Sequence, residues 1–284
     1  MRAWKAETAV FLTVAFVAAG ALGAVQPATG IPPEVVQLTQ FGPAAGVLVV
    51  ALLWPSRIRQ RLAGALPRRR TPDTARAGKG RTGRAGQVGR AGQVGRAGQV
   101  GREVRVLLSA PLIIALAAGT YALLEGAGRF TDPRTLAHPF ALVVVAQLVG
   151  ACGEEIGWRC LLQPMVRSRF GPVAASALVG LVWGFWHVQV LTHAPAYAAG
   201  FLLATVAMSV VLGLGLEHVR SNRLLLAGGF HTLVNLGMLL FLDDDSGAVL
   251  PMVLFGGACL VAALPWVVRA PGTRLVTAAE HGAR

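Results

Sequence analysis

"FALVVVAQLVGACGEEIGWRCLLQPMVRSR", residues 140–169, is the stretch on which the fold turns. Its first half is apolar, yet Glu154, Glu155 and Arg159 follow within six residues. Ended at the glutamates, the run is a short helix with a charged loop behind it. Continued to Val166, it carries three ionisable groups inside a membrane, where such groups are costly and face a bundle interior or a cavity. The rest of the chain decides for the second choice. Of 284 residues, 54% are hydrophobic and 14% charged, at mean hydropathy +0.59. Soluble domains carry about a quarter charged residues, and soluble helices keep a polar face that several segments here lack. The chain reads as all-α: a polytopic transmembrane helical bundle, multi-pass in a plasma membrane, which its Gly-, Ala- and Arg-rich composition suggests is bacterial.

Crossing roughly 30 Å of hydrocarbon takes about 20 apolar residues, and eight such runs are present. They are Thr8 to Val25, Val35 to Trp54 (softened by Gln37, Gln40 and Pro43), Val104 to Leu124, and the opening run between Pro139 and Val166. Val173 to Val190, Ala196 to Leu216, Leu224 to Leu242 and Ala248 to Val268 follow. Arg2 and Lys5 before the first run also fit a cleaved signal peptide, but a hydrophobic region there usually spans about 7–15 residues, which favours a retained helix.

Basic residues in a multi-pass protein collect on the cytoplasmic side. With eight spans, 24 of the 26 Lys and Arg residues fall on alternate loops, and only Arg129 and Arg134 lie opposite, beside Glu34, Asp132 and Asp243 to Asp245. Both termini are therefore expected in the cytoplasm. Fourteen of the basic residues lie between Pro55 and Arg105, where "RAGQVG" repeats at 84–89, 90–95 and 96–101. A basic Gly-rich repeat without aromatics cannot bury a core and reads as disordered. Its expected partner is the anionic inner leaflet of the bilayer, not nucleic acid, which calls for stacking aromatics or a folded reader. Cys152, Cys160 and Cys259 have no paired spacing and read as small packed hydrophobes.

Within the spans, the groups that stand out are Gln147, Glu154, Glu155, Arg159, His187, His231 and Asn235. Glu155 and Arg159 are four apart and share a helix face, so they should pair, since an unpaired buried charge costs several kcal/mol. Glu154 is rotated by about 100° and points elsewhere. His231 and Asn235 are likewise four apart. His187 stands among Trp183, Phe185 and Trp186, tryptophans that suit an interfacial belt or a pocket wall equally. At 1.5 Å per residue from the basic ends of their spans, Glu154 and His187 lie about 20 Å deep and His231 and Asn235 about 10 and 16 Å. The depths converge only if the helix bearing the glutamates continues past Arg159. A carboxylate, two imidazoles and a carboxamide at one depth suit hydrolysis: Glu and His as general base, His and Asn as oxyanion donors. Glu154, His187 and His231 are also suitable zinc ligands, and the residues alone leave that choice open.

Glu154-Glu155-x-x-x-Arg159, then Trp183 and His187, then His231-x-x-x-Asn235 resemble the CPBP (Abi) family of intramembrane proteases, which includes the type II C-a-a-X prenyl endopeptidases. The resemblance covers residues 139–242. It implies Glu154 as catalytic glutamate, His187 as its helper, His231 and Asn235 as transition-state stabilisers or metal ligands, and Glu155 with Arg159 as support. Trp183 and Trp186 would wall the pocket; the family usually has Phe at the former position. Cys160 stands where Gly is common. Since family members are described as metalloproteases and as glutamate proteases, zinc is a possible cofactor.

The expected organisation is then two N-terminal helices (1–55), a basic disordered loop (56–103), a six-helix membrane domain (104–270) holding the protease-like core, and a cytoplasmic tail (271–284). The expected activity is hydrolysis of a peptide bond in a membrane-delivered peptide or membrane protein. The alternatives are a non-catalytic scaffold or immunity protein of the same fold, and an ion or proton transporter using the same buried groups.

Overall fold

The computed structural model describes residues 2–67, 85–219, 221–242 and 247–270. Among them the structure is helical throughout, without strands. In chain order the α-helices are α1 (Arg2–Thr29), α2 (Gly42–Leu53), α3 (Pro55–Arg61), α4 (Ala85–Glu125), α5 (Phe140–Glu155), α6 (Gln163–Arg167), α7 (Pro172–Trp186), α8 (Pro195–Gly215), α9 (Arg223–Phe241) and α10 (Val249–Val268). Six stretches are long and apolar enough to cross a membrane, and they include the opening one, taken as a single span from Phe140 to Arg167. The glutamate helix therefore does continue past Arg159. Between α5 and α6 it runs as a π-helix, Ile156–Leu162.

Two of the eight expected spans are shorter than read. The second is Leu38–Leu53 and the fifth Pro172–Trp186. At 1.5 Å per residue, the fifteen residues of α7 rise only about 22 Å. Trp186 is its last helical residue; His187 leaves the helix with φ −80° and ψ 64°, and a 3-10 turn, Val188–Thr192, follows. A 3-10 turn, Leu38–Phe41, likewise precedes α2, where Pro43 has no N–H to extend the helix backwards.

The basic loop also departs from expectation. Segment 56–103 was expected to lack order, but it opens with α3 and closes inside α4, which runs through the second and third repeats. Adding a residue to an existing helix is far easier than nucleating one, so the apolar span after Val104 can carry helix back into a Gly-containing repeat. Residues 68–84, the acidic run Asp243 to Asp245 and the tail 271–284 lie outside the described residues.

Packing places the π segment at the hub. Helices α2, α3, α5, α7 and α9 all touch it, and every residue from Gly157 to Gln163 is buried. Trp158 at its centre meets Phe11 of α1 and Trp186 of α7 edge-on, at centroid distances of 5.6 and 5.9 Å. Around it α1 packs on α2, α5 on α9, α9 on α4, α4 on α10, α10 on α8 and α8 on α7. Small residues bring these helices close, as is usual between membrane helices. A side chain at Gly256 would meet the Gly200 carbonyl oxygen at 2.5 Å.

At the basic end, Glu7 of α1 is fully buried and ion-paired to Arg57 and Arg61 at 3.0 and 2.8 Å. Arg223 at the start of α9 donates to the carbonyls of Arg61 and Ala63. The segment after α3 thus ties the N-terminal pair of helices to the helix that bears His231.

Candidate active site

The hub explains how two adjacent glutamates come to do different things. Glu154 and Glu155 close α5, both essentially inaccessible. Glu155 faces the π segment and α9: its carboxylate meets Arg159 Nε at 3.0 Å and His231 Nδ1 at 3.1 Å. Arg159 donates a further bond to Ser209 Oγ at 3.0 Å and lies over the Trp183 ring, 4.9 Å from its centroid. Ser209 in turn donates to the Ser176 carbonyl at 2.6 Å. The expected Glu155–Arg159 pair is thus present within a network that ties α5 to α7, α8 and α9.

Glu154 points the other way, towards α7. One carboxylate oxygen accepts from Trp183 Nε1 at 2.8 Å; no other partner restrains this side chain among the described residues. Trp183 is more than a wall, because its indole N–H orients the glutamate while its backbone carbonyl holds His187. The His187 Nδ1 lies 2.9 Å from that carbonyl. A carbonyl can only accept, so Nδ1 carries the hydrogen and the neutral ring leaves its lone pair on Nε2. The same logic applies to His231, whose Nδ1–H donates to Glu155. Both rings are fixed in one tautomer by their backing partner. Trp186 and Phe201 pack edge-on to His187 at 4.8 and 5.0 Å.

Asn235, one turn beyond His231, donates from Nδ2 to Gln147 Oε1 of α5 at 2.9 Å. Glu154, His187, His231 and Asn235 all line one cavity of about 390 Å³ within the bundle, with Trp183 and Trp186 among its walls. The convergence argued from depth along separate spans is what the fold builds. Glu155 and Arg159 sit behind the wall. The cavity also reaches Pro33, Glu34 and Gln37 before α2, His193 before α8 and Gly247 before α10. Its mouth is therefore at the end of the bundle away from the arginines.

Several liners carried no role in the sequence reading. Gln40, in the second span, lines the cavity, and its buried Oε1 has no hydrogen-bond partner among the described residues. Gln147 was conspicuous there, but its service to Asn235 was not. Thr205, also in the lining, and Ser209, the partner of Arg159 behind it, are four apart on α8, a spacing by which they could have been found.

Among the described residues no three His, Cys, Asp or Glu side chains converge closely enough to hold a metal ion. As arranged, Glu154, His187 and His231 do not form a zinc ligand set, and no chemical step below is routed through a metal.

Residues 136–237 match the family described as type II CAAX prenyl endopeptidase Rce1-like. CAAX prenyl protease 2 of Methanococcus maripaludis is 28% identical over 163 residues, covering 53% of this chain and 56% of that protein. Lysostaphin resistance protein A of Staphylococcus aureus (strain bovine RF122) is 24% identical over 167 residues, covering 57% of this chain and 40% of that protein. The chain spans about half the length of the curated relatives it matches. Residues 136–237, which hold Gln147, Glu154, Glu155, Arg159, His187, His231 and Asn235, are thus the part of this multi-pass membrane protein that is similar to the Rce1-like family.

Proposed function

We propose that the protein is a membrane-embedded endopeptidase that cleaves a peptide bond of a membrane-delivered peptide or membrane protein. The observation that carries this reading is the single cavity holding Glu154, His187, His231 and Asn235. A water between the free oxygen of Glu154 and Nε2 of His187 gives up a proton as its oxygen attacks the scissile carbonyl carbon. Glu154 takes that proton and returns it to the departing amine, so the products are a carboxylic acid and an amine. His231 and Asn235 face the other side of the carbonyl and donate to the oxyanion. With Glu155 behind it, His231 can hold a proton on each nitrogen and donate from Nε2.

A second reading is a non-catalytic scaffold or immunity protein of the same fold; the name lysostaphin resistance protein A describes a resistance and not a hydrolysis. One experiment separates the two. Full-length protein in detergent is incubated with a quenched peptide library, wild type against Glu154→Gln, with and without chelator. The endopeptidase reading expects cleavage by wild type that Glu154→Gln abolishes. Equal products from both forms, or none from a folded wild type, would overturn it. Loss on chelation with recovery on added zinc would bring a metal into the mechanism.

A further inference from the structure

A second cavity lies at the opposite end of the molecule, where α4, α8 and α10 meet. It encloses about 440 Å³, and its polar wall brings together Arg102, Arg105, Arg167, Arg269 and His218 against a single carboxylate, Glu217. Glu217 is already engaged by Arg167 at 2.8 Å. Among the described residues, Arg102, Arg105 and Arg269 donate only to backbone carbonyls, those of Leu214, Gly101 and Pro265. Glu103, the other carboxylate on this turn of α4, is not part of the lining and accepts from Gln99. Three guanidinium groups therefore line one cavity with no carboxylate of the described residues paired to them. Such a concentration of like charge is unfavourable until an anion joins it.

The remaining walls say what kind of anion. Above the arginines the lining turns apolar, with Leu108 and Leu112 on one stripe of α4 facing Trp266 of α10. Leu108 and Leu112 are 59% and 50% exposed, so the stripe opens sideways, towards lipid. Arg102, Arg105, Ser109 and Leu112 share that face at helical spacing, changing from charged to apolar as the span enters the bilayer. A soluble anion has no use for the upper half of this site, and a neutral lipid has none for the lower half.

We propose that this cavity is a binding site for one anionic phospholipid of the leaflet at the basic end. Its phosphate is held by Arg102, Arg105 and Arg269, and an acyl chain lies along Leu108, Leu112 and Trp266. Basic pockets between helices at the cytoplasmic interface recognise anionic headgroups in this way, and guanidinium forks suit phosphate oxygens. The inference is independent of the catalytic reading, since no residue of the site contributes to the other cavity.

The test is a lipid titration of the purified full-length chain by native mass spectrometry, using phosphatidylglycerol and phosphatidylcholine with identical acyl chains. Wild type should bind one phosphatidylglycerol in clear preference to phosphatidylcholine. Arg105→Ala with Arg269→Ala, both exposed positions, should weaken that first binding about thirtyfold, from roughly fivefold per basic residue. Arg134→Ala at the other end should leave it unchanged. Equal binding of the two lipids by wild type would overturn the proposal, as would undiminished phosphatidylglycerol binding by the double variant. Displacement of the lipid by millimolar inorganic phosphate would show that the site reads a free anion and would equally overturn it. If the double variant does not fold, the wild-type contrast between the lipids decides alone.

Discussion

Adjacent glutamates with the same chemistry have opposite surroundings here, and substitution should separate them. Glu155 neutralises Arg159 and backs His231, so Glu155→Ala leaves a guanidinium buried without its counter-ion. Breaking a buried pair from one side costs about 3–5 kcal/mol, and a thermal melt in detergent should fall steeply or yield no folded protein. Glu154→Gln keeps an acceptor for the Trp183 N–H and removes only the carboxylate, the base of the proposed reaction. It should melt with wild type while cleavage drops by about 10²–10⁴. A stable Glu155→Ala beside an unfolded Glu154→Gln would reverse the assignment. Gln147 acts through Asn235: its carbonyl accepts from the Asn235 amide and fixes which way the carboxamide points. Gln147→Leu should lower kcat about three- to tenfold, the worth of one such bond, with little change in KM. In a double-mutant cycle the loss should vanish when Asn235 is already Ala. Additive losses would place Gln147 outside this chain of contacts.

Helices α5 and α9 carry this network only because they approach closely. A side chain at Gly228 would strike Cys152 Sγ at 2.5 Å. Gly228→Val should therefore push α9 off α5, stretch the His231–Glu155 bond and cost about 1–3 kcal/mol. Gly257→Val on α10, where nothing lies within 4 Å, should melt like wild type. Equal effects of the two changes, in paired melting and cleavage assays, would remove close α5–α9 packing from the account. At this scale the sequence was legible where a strong signal existed. Long apolar runs placed the helices, and the four-residue steps Glu155–Arg159 and His231–Asn235 placed side chains on the correct faces. It was not legible where the backbone leaves the regular α-helix. Nothing in "IGWRCLL" marks a π-helix, a geometry often found at functional sites, and α7 ends at Trp186 without a Gly or Pro to announce it. Thr205 and Ser209 stayed hidden for another reason. Hydroxyls in membrane helices commonly bond to their own backbone, as Thr205 does to Leu202, and so cost little enough to look incidental.

For the molecule as a whole, charge and cavity divide the bundle into two ends. Glu7 with Arg57 and Arg61, the Arg102–Arg269 cluster and Arg223 crowd one end, while the cavity lined by Glu154 reaches Glu34, Gln37, His193 and Gly247 at the other. The loop-by-loop count of basic residues was readable in sequence and predicts that the crowded end faces the cytoplasm. The side on which the cavity opens was not, because it depends on which helix ends splay apart. Together they predict that substrate enters from the extracytoplasmic face, opposite the basic loops. Single cysteines test this in intact cells with a membrane-impermeant maleimide. Gln37→Cys, exposed beside the mouth, should label without permeabilisation, and Arg59→Cys, exposed beyond α2, only after it. Cys160 and Cys259 are buried and Cys152 half-buried, so unmodified protein supplies the background. Labelling of Arg59→Cys in intact cells with Gln37→Cys protected would invert the molecule: the cavity would then open to the cytoplasm, the basic residues would face outward against the rule that oriented them, and the anionic lipid at the arginine cluster would come from the outer leaflet.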